Sequence, residues 1–216
     1  MAAEQRGVAP ARAAAFLDRD GVINIDHGYT VRVEDFEFVP GTFDACRALS
    51  SAGYALVVVT NQSGIGRGLY TLREFTALTD WMRAQFAAAG APLAGVYFCP
   101  HHPTEAEGEY RRECACRKPA PGMLLDAAHD LNLDLSRSVL FGDRAGDLEA
   151  ARAAGVPTRI LLGTNGNSEP IDDVPLGFAT GCFRSLALAV PHVLRKSGKS
   201  GSGLISTEIK PDPDFL

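Results

Sequence analysis

Residues 16–24 have the sequence Phe16-Leu17-Asp18-Arg19-Asp20-Gly21-Val22-Ile23-Asn24. Two carboxylates one residue apart thus follow an apolar run, and residues 13–17 predict a buried strand that ends at Asp18. A turn after such a strand can bring both carboxylates to one point at the carboxyl edge of a parallel sheet, where α/β proteins bind ligands. An isolated Asp-x-Asp is more often a solvated turn or a helix cap, so the rest of the chain has to decide.

A second strand and loop would supply donors for a phosphate group. Residues 55–59 are apolar and rich in valine, which predicts a buried strand. The loop that follows begins with Thr60, Asn61 and Gln62 and contains three glycines before residue 69. Its hydroxyl, amide and backbone N–H groups are of the kind that hold phosphate oxygens.

Two further segments contain the charges that chemistry at phosphorus requires. Arg117 and Lys118 are adjacent cations just before a predicted helix start at Pro121. Residues 138–141 predict another strand, and a second acidic pair, Asp143 and Asp147, follows it. One carboxylate can attack phosphorus while another transfers protons, provided that cations offset the crowded negative charge.

The ordered set of a strand-end Asp-x-Asp, a strand-end Thr, a Lys and a second acidic pair resembles the haloacid dehalogenase superfamily of phosphatases. The resemblance covers the chain from Phe16 to about Gly163. It implies that Asp18 is the nucleophile, that Asp20 is the general acid/base, and that Thr60 and Lys118 stabilise the phosphate charge. Asn61 and Gln62 would bind substrate. A Mg²⁺ ion would be held by Asp18, by the backbone carbonyl of Asp20 and by Asp143, with Asp147 as a supporting carboxylate.

The order of predicted elements indicates an α/β, Rossmann-like three-layer sandwich with a mainly parallel sheet. Helices are expected at 41–52, from Leu72 onward, and at 122–131, 148–154 and 183–195, with further strands at 94–98 and 158–162. One phosphatase domain is expected over 13–196, after an N-terminal extension at 1–12 and before a Gly/Ser-rich tail at 197–216 that predicts disorder. The intervals between the four motifs are too short for an inserted cap, so the domain is expected to be essentially capless.

Composition limits the class of protein. The 216 residues are 46% hydrophobic, enough for one α/β core with little left for a second. A net charge of -5 argues against nucleic acid and anionic membranes as partners. No apolar run reaches the ~18 residues of a membrane span, and Arg6, Pro10 and Arg12 interrupt the Ala-rich N-terminus where a signal peptide would be apolar. A cytoplasmic monomer that acts on a small molecule is expected.

A second motif lies in the loop 99–118, where Cys99-Pro-His101-His102 is followed by Cys114-Ala-Cys116. Three cysteines and a histidine match the ligand set of a tetrahedral structural Zn²⁺ site, although one residue between the ligands of a pair is unusual. A disulfide or buried free thiols are the alternatives, and a cytosolic protein seldom keeps a disulfide. Spacing leaves open which of the two histidines would bind.

The zinc loop narrows the resemblance to the D-glycero-D-manno-heptose 1,7-bisphosphate 7-phosphatases, which act in the synthesis of nucleotide-activated heptose for lipopolysaccharide. This resemblance selects His101 as the fourth ligand beside Cys99, Cys114 and Cys116, and it implies that Arg117 contacts the phosphosugar substrate. The related histidinol-phosphate phosphatases are the alternative, although they tend to have different residues after the Asp-x-Asp and Thr-Asn-Gln motifs. A third possibility is a non-catalytic, zinc-organised interaction protein. The presence of all four catalytic motifs argues against it.

Overall fold

The computed structural model describes residues 10–163 and 178–198. Six strands form one sheet in the order β3-β2-β1-β4-β5-β6, and all five pairings are parallel. The strands are β1 (Ala14–Leu17), β2 (Ala55–Asn61), β3 (Leu93–Cys99), β4 (Val139–Gly142), β5 (Thr158–Leu162) and β6 (Gly181–Phe183). The helices are α1 (Thr42–Ser51), α2 (Ser63–Gly66), α3 (Leu72–Ala88), α4 (Gly122–Asp130), α5 (Ala145–Ala153) and α6 (Leu186–Lys196).

Helices cover both faces of the sheet, which confirms the predicted three-layer sandwich. On one face, alternate residues of β1 and β2 pack against α1, α3 and α6, with Leu17, Leu49 and Phe86 all fully buried. On the other face, Phe16 and Leu124 belong to a second core cluster formed with α4 and α5. The central strands are continuously apolar because both of their faces are buried.

The strand order brings the carboxyl ends of β2, β1 and β4 side by side. It is the order of a doubly wound sheet, in which ligands bind beyond the carboxyl ends at the point where the strand order reverses, here between β1 and β4. Asp18, Thr60 and Asp143 stand at or just after the ends of these three strands. The fold therefore gathers residues that lie 125 positions apart along the chain.

Several predicted boundaries were wrong. The helix expected at 148–154 begins at Ala145, because Asp147 Oδ2 accepts a hydrogen bond from the Arg144 N–H and closes the first turn. The last helix begins at Leu186, and residues 181–183 instead form β6. Pro191 lies inside that helix, whose apolar face is buried against the core and tolerates the missing backbone donor.

The segment between β1 and α1 contains only one 3-10 turn, Val33–Asp35, and no inserted domain. An aromatic cluster holds it against α3: the Phe36 ring lies 5.4 Å from the Trp81 ring and 4.9 Å from that of Phe38. The interval from β2 to Lys118 contains only α2, α3, β3 and one further 3-10 turn, Gly108–Tyr110. Neither interval has an inserted domain, so the capless prediction is confirmed. In 10–163 and 178–198, no helix is both long and apolar enough to cross a bilayer. Most of the predicted extension and tail, at 1–9 and 199–216, lies outside the described residues.

Candidate active site

Three carboxylates converge at the carboxyl edge of the sheet. Asp18, Asp143 and Asp147 each place an oxygen within 4.8 Å of the others. The first two follow β1 and β4, and Asp147 lies in the first turn of α5. Asp143 Oδ1 is buried and has no hydrogen-bond partner among the described residues. Clustered hard oxygens, one of them without a partner, fit the coordination of a small divalent cation.

Lys118 is the cation that the structure provides for this cluster. Its Nζ lies 2.6 Å from Asp147 Oδ1, 3.0 Å from Asp18 Oδ1 and 2.8 Å from the Val59 carbonyl oxygen. Burial by itself would lower the pKa of Lys118, but Asp147 and Asp18 outweigh burial and raise it. The side chain is therefore charged at neutral pH.

One ammonium does not neutralise three carboxylates. Burial raises the pKa of Asp18 to about 7, an effect that Lys118 opposes and the nearby carboxylates reinforce. Burial and the charges of Asp18 and Asp147 raise the pKa of Asp143 to about 8. A divalent cation in the cluster would hold both groups ionised at neutral pH.

The Asp18 carboxylate presents one oxygen to protein donors. Its Oδ1 accepts hydrogen bonds from the Arg19 N–H at 2.7 Å and from Lys118 Nζ. Its other oxygen, Oδ2, has no hydrogen bond in the part of the chain that the structure describes. The side chain is 13% exposed, so this oxygen is accessible from the cleft.

The second carboxylate of the Asp-x-Asp pair, Asp20, lies outside the cluster of Asp18, Asp143 and Asp147. Arg19 donates to both Asp20 oxygens, Asn24 Nδ2 donates to Oδ1 at 3.0 Å, and Gln62 Nε2 donates to Oδ2 at 3.0 Å. Burial opposes the charge of Asp20, but the Arg19 guanidinium and these hydrogen bonds outweigh it and lower the pKa. Asp20 is therefore ionised. Its side-chain hydrogen bonds come from Arg19 and Asn24 of its own motif and from Gln62 of the next motif.

Polar residues at and just after the end of β2 link this strand to Asp20 and to Lys118. Gln62 Nε2 also donates to Thr60 Oγ1 at 2.8 Å, and Gln62 Oε1 accepts from the Tyr70 hydroxyl at 2.5 Å. Asn61 Oδ1 accepts a hydrogen bond from the Lys118 N–H, and Asn61 Nδ2 donates one to the Lys118 carbonyl oxygen, both at 3.1 Å. The amides predicted to bind substrate are thus largely engaged with protein groups, and each fixes another site residue.

Asp18, Asp20 and Asp147 line a cleft of about 660 Å³, whereas Asp143 lines a smaller neighbouring pocket of about 160 Å³. The lining of the larger cleft contains the predicted site residues at the ends of β1 and β2, Arg117 and Lys118. Sequence reasoning missed several of its other members, and no spacing pattern marks them: Arg19, Tyr29, Arg67 and Arg144. All three of these arginines have carboxylate partners, in Asp20, Glu105 and Asp26 respectively. Arg117 makes no such ion pair in the described chain, and its guanidinium donates one hydrogen bond there, from Nη1 to the His101 carbonyl at 3.2 Å.

The predicted zinc ligands form a second cluster beside the cleft. The Sγ atoms of Cys99, Cys114 and Cys116 lie 3.2–3.5 Å from one another. His101 Nδ1 lies 3.6 Å from Cys99 Sγ and 3.4 Å from Cys116 Sγ. His102 points elsewhere, and its Nδ1 accepts a hydrogen bond from the Glu105 N–H at 3.0 Å. All three cysteines are free thiols, so the structure contains no disulfide among them.

The chain is similar to known proteins over most of its length. Residues 115–175 match the HAD-hydrolase-like family. The chain is 49% identical over 189 residues to the D-glycero-beta-D-manno-heptose-1,7-bisphosphate 7-phosphatase of Vibrio cholerae serotype O1, with 88% of this chain and 100% of that relative covered. It is 46% identical over 186 residues to the protein of the same name from Escherichia coli K12, with 86% and 95% covered.

A solved structure gives the same likeness. The D,D-heptose 1,7-bisphosphate phosphatase of B. bronchiseptica, determined in complex with magnesium and phosphate, superposes with a TM-score of 0.69. The two sequences are 32% identical, and the match covers 85% of this chain and 99% of the other. The similarity therefore extends over most of the chain rather than over single motifs.

The raised pKa values of Asp18 and Asp143 predict how stability depends on pH. Without a divalent cation, the folded protein binds more protons at these sites than the unfolded chain between about pH 4 and about pH 8. The stability that these groups contribute should therefore be lost as the pH rises through about 7–8, and Mg²⁺ should restore more of it at about pH 8 than at about pH 5. Thermal unfolding in metal-free buffer, with and without Mg²⁺, measures both effects.

Two variants control that measurement. Asp143→Asn removes one of the two titrations, so its stability should change less with pH than that of the wild type. Asp44→Asn removes an exposed carboxylate of α1 and should leave the profile unchanged. Parallel profiles for all three proteins would contradict the predicted linkage.

Proposed function

The chain belongs to the heptose-1,7-bisphosphate 7-phosphatase family of haloacid dehalogenase-like hydrolases, and on this premise we propose that it removes the 7-phosphate of D-glycero-D-manno-heptose 1,7-bisphosphate. The class of enzyme, a phosphoric monoester hydrolase, follows from the family. The observation that carries the finer proposal is the contact of Lys118 Nζ with Asp18 Oδ1 at 3.0 Å, in a cleft that also contains an arginine without a carboxylate partner. The relatives' names specify the β anomer, which is the first to test.

In the first step, Asp18 Oδ2 attacks the 7-phosphorus. A bond forms between this oxygen and phosphorus, the bond from phosphorus to the C7 oxygen breaks, and the C7 oxygen takes a proton from Asp20. Lys118 and Thr60 would stabilise the charge on the transferred phosphoryl group, where one donor is typically worth ~10²–10³ in rate. The products of this step are the 1-phosphosugar and phosphorylated Asp18.

In the second step, Asp20 accepts a proton from a water molecule whose oxygen attacks the phosphorus on Asp18. The bond between Asp18 and phosphorus breaks, inorganic phosphate forms, and both aspartates return to their starting states. The lowered pKa of Asp20, due to Arg19 and its hydrogen bonds against the effect of burial, suits this base role. The dianionic phosphate of an arriving substrate would raise the pKa of Asp20 again and favour the proton that the first step needs.

The residues present fit a Mg²⁺ ion. The ion would be held by Asp18, the backbone carbonyl of Asp20 and Asp143, whose buried Oδ1 otherwise lacks a partner within the described residues. When bound, Mg²⁺ supplies positive charge against the phosphate oxygens. Asp147 would act through Lys118, since its Oδ1 already forms the shorter ion pair with that ammonium.

The cysteine and histidine cluster fits Zn²⁺. Sulfur ligands of a tetrahedral Zn²⁺ ion lie about 3.8 Å apart. The three Sγ atoms lie 3.2–3.5 Å apart, so the thiolates would have to separate by a few tenths of an ångström to hold the ion. Burial works against a Cys114 thiolate, but hydrogen bonds from Cys116 and the Arg117 N–H outweigh it and lower the pKa. Cys116 directly precedes Arg117 and Lys118, so the metal would fix the backbone that presents both cations.

Substrate choice rests on Arg117. A bisphosphate brings a second anion into the cleft, and a guanidinium can bind it with two parallel hydrogen bonds. Histidinol phosphate, the substrate of the alternative function, has no second phosphate and would leave Arg117 without a partner. The cytoplasmic location, the monomeric state, the domain bounds and the role in heptose synthesis for lipopolysaccharide stay predictions.

Asp18→Asn tests the mechanism, because an amide cannot form the phosphorylated intermediate. We expect this variant to fold, to bind substrate and to lose more than about 10³-fold in kcat on the heptose bisphosphate. Phosphate release is the assay, and mass spectrometry of acid-quenched wild type should find phosphate on Asp18. Asp44→Asn on the surface should keep wild-type rates. Appreciable turnover by Asp18→Asn would falsify the nucleophile assignment, and faster wild-type hydrolysis of histidinol phosphate would favour the alternative function.

Arg117→Ala tests substrate choice. The specificity constant for the heptose bisphosphate should fall about 10–100-fold, the value of a lost charge-assisted hydrogen bond. That for p-nitrophenyl phosphate should change much less, since this monophosphate has no second anion. Arg111→Ala, in the same loop but exposed and away from the cleft, is the matched control. An equal loss on both substrates would show that Arg117 serves the transferred phosphate and does not discriminate.

Elemental analysis tests the zinc site. Purified protein should contain about one Zn²⁺ per chain whether or not Mg²⁺ is added, because thiolate and carboxylate sites select different metals. Cys116→Ser should lose the metal and lower the unfolding temperature. Cys182→Ser, a half-buried cysteine outside the cluster, should keep both. Protein without zinc, together with a fully stable Cys116→Ser variant, would overturn the site.

A further inference from the structure

Arg19 is a charged residue that is almost completely buried, and the proposed mechanism does not explain why. It lies between the two aspartates of the first motif, yet only 2% of its surface is exposed, and it is among the largest fully buried side chains. Buried arginines are rare unless they are paired. Its role has to be sought in its contacts.

The Arg19 guanidinium joins Asp20 to the segment between β1 and α1. Its Nε donates to both Asp20 oxygens at 3.1 Å, and Nη2 donates to Asp20 Oδ1 at 2.8 Å. The same Nη2 donates to the carbonyl of Thr30, a buried residue, at 3.0 Å. Thr30 directly follows Tyr29, which lines the cleft. One rigid planar group thus fixes the carboxylate relative to a wall of the cleft.

We propose that Arg19 is a positioning residue for the reaction, which holds the Asp20 carboxylate in the orientation needed for proton transfer by anchoring it to the Thr30 backbone. The inference rests on the proposed function, in which Asp20 is the acid and base. The other two donors to Asp20, Asn24 and Gln62, each bind a single oxygen. Three of the five hydrogen bonds to Asp20 come from the guanidinium, which alone among these donors also reaches the Thr30 carbonyl, so its loss would uncouple the carboxylate from that segment.

Stability does not account for this ion pair. Replacing a buried ion pair by well-packed apolar residues is often neutral or stabilising, because desolvation offsets the attraction between the charges. Arg19 also has a buried Nη1 without a hydrogen bond among the described residues, a further cost to the fold. A geometric role at the acid/base explains why the planar fork is present, and a displacement of about 1 Å at such a group can cost ~10²-fold in rate.

Arg19→Lys keeps the charge and removes the planar fork. With the heptose bisphosphate, kcat should fall about 10–100-fold while KM changes less than about threefold, since Arg19 acts on proton transfer and not on binding. The matched control is Arg159→Lys. Arg159 donates to the backbone carbonyls of Phe178, Val156 and Pro157 and does not line the cleft. This control should lose stability and keep its kcat.

Transient kinetics with p-nitrophenyl phosphate separates positioning from a merely structural effect. The leaving group needs no proton, so Arg19→Lys should still phosphorylate Asp18 and release about one equivalent of p-nitrophenol per active site. The following steady rate should be about 10–100-fold below that of the wild type, because the water is poorly deprotonated. A structural defect would instead lower the burst and the steady rate in the same proportion.

A double-mutant cycle with Asp20→Ala completes the test. If Arg19 acts through Asp20, the double variant should be no slower than Asp20→Ala alone. Additive losses, or wild-type kinetics of Arg19→Lys beside an impaired Asp20→Ala, would overturn the positioning role and leave the proposed function intact. Wild-type turnover by Asp20→Ala would instead remove the acid/base assignment and the inference with it. Should Arg19→Lys not fold, Arg19→Met takes its place, and failure of both variants would make Arg19 a folding residue only.

Discussion

The site depends on the ion pairs that the buried Lys118 ammonium forms with Asp18 and Asp147. The ammonium holds Asp18 and Asp147 together and is itself fixed by the Val59 carbonyl, and Asn61 clamps the Lys118 backbone. Removing one partner of such a buried pair typically costs about 3–5 kcal/mol, because the remaining charges are left uncompensated. The positions of the carboxylates and the conformation of the loop that contains Lys118 are therefore coupled. A change that loosens this loop would therefore also disturb Asp18, the proposed nucleophile.

The sequence predicted the ends of the strands well, because a buried parallel strand is a continuous apolar run and the first polar residue after it marks the sheet edge. Asp18, Thr60 and Asp143 were found in this way, and the structure brings them together. Side chains that act through loops could not be predicted. Tyr29 follows no periodicity, and Arg19 resembles any polar residue in a turn until its 2% exposure is known. The short β6 and the start of α5 depend on edge pairing and on one capping contact, which are tertiary details.

The absence of an inserted cap between β1 and α1 has a physical consequence for recognition. The aromatic contacts of Phe36 and Phe38 with Trp81 anchor this segment to α3, while Arg19 anchors it to the first motif at Thr30. A wall fixed at both ends cannot close over a substrate by a large motion. Selectivity must then come from preformed contacts in an open cleft, to which water has free access.

The two clusters of potential metal ligands in this small domain differ in chemical kind. The carboxylate cluster has an excess of negative charge, which serves the site only when a cation and a phosphate are bound. Without a cation these like charges repel one another and oppose folding. The cysteine cluster sits one residue before Arg117 and uses soft ligands that a magnesium ion does not satisfy. A structural ion there would stabilise the loop independently of catalysis. The segment that supplies Lys118 would then be held in place before substrate arrives. The entropy of ordering this segment would therefore not have to be lost in each turnover.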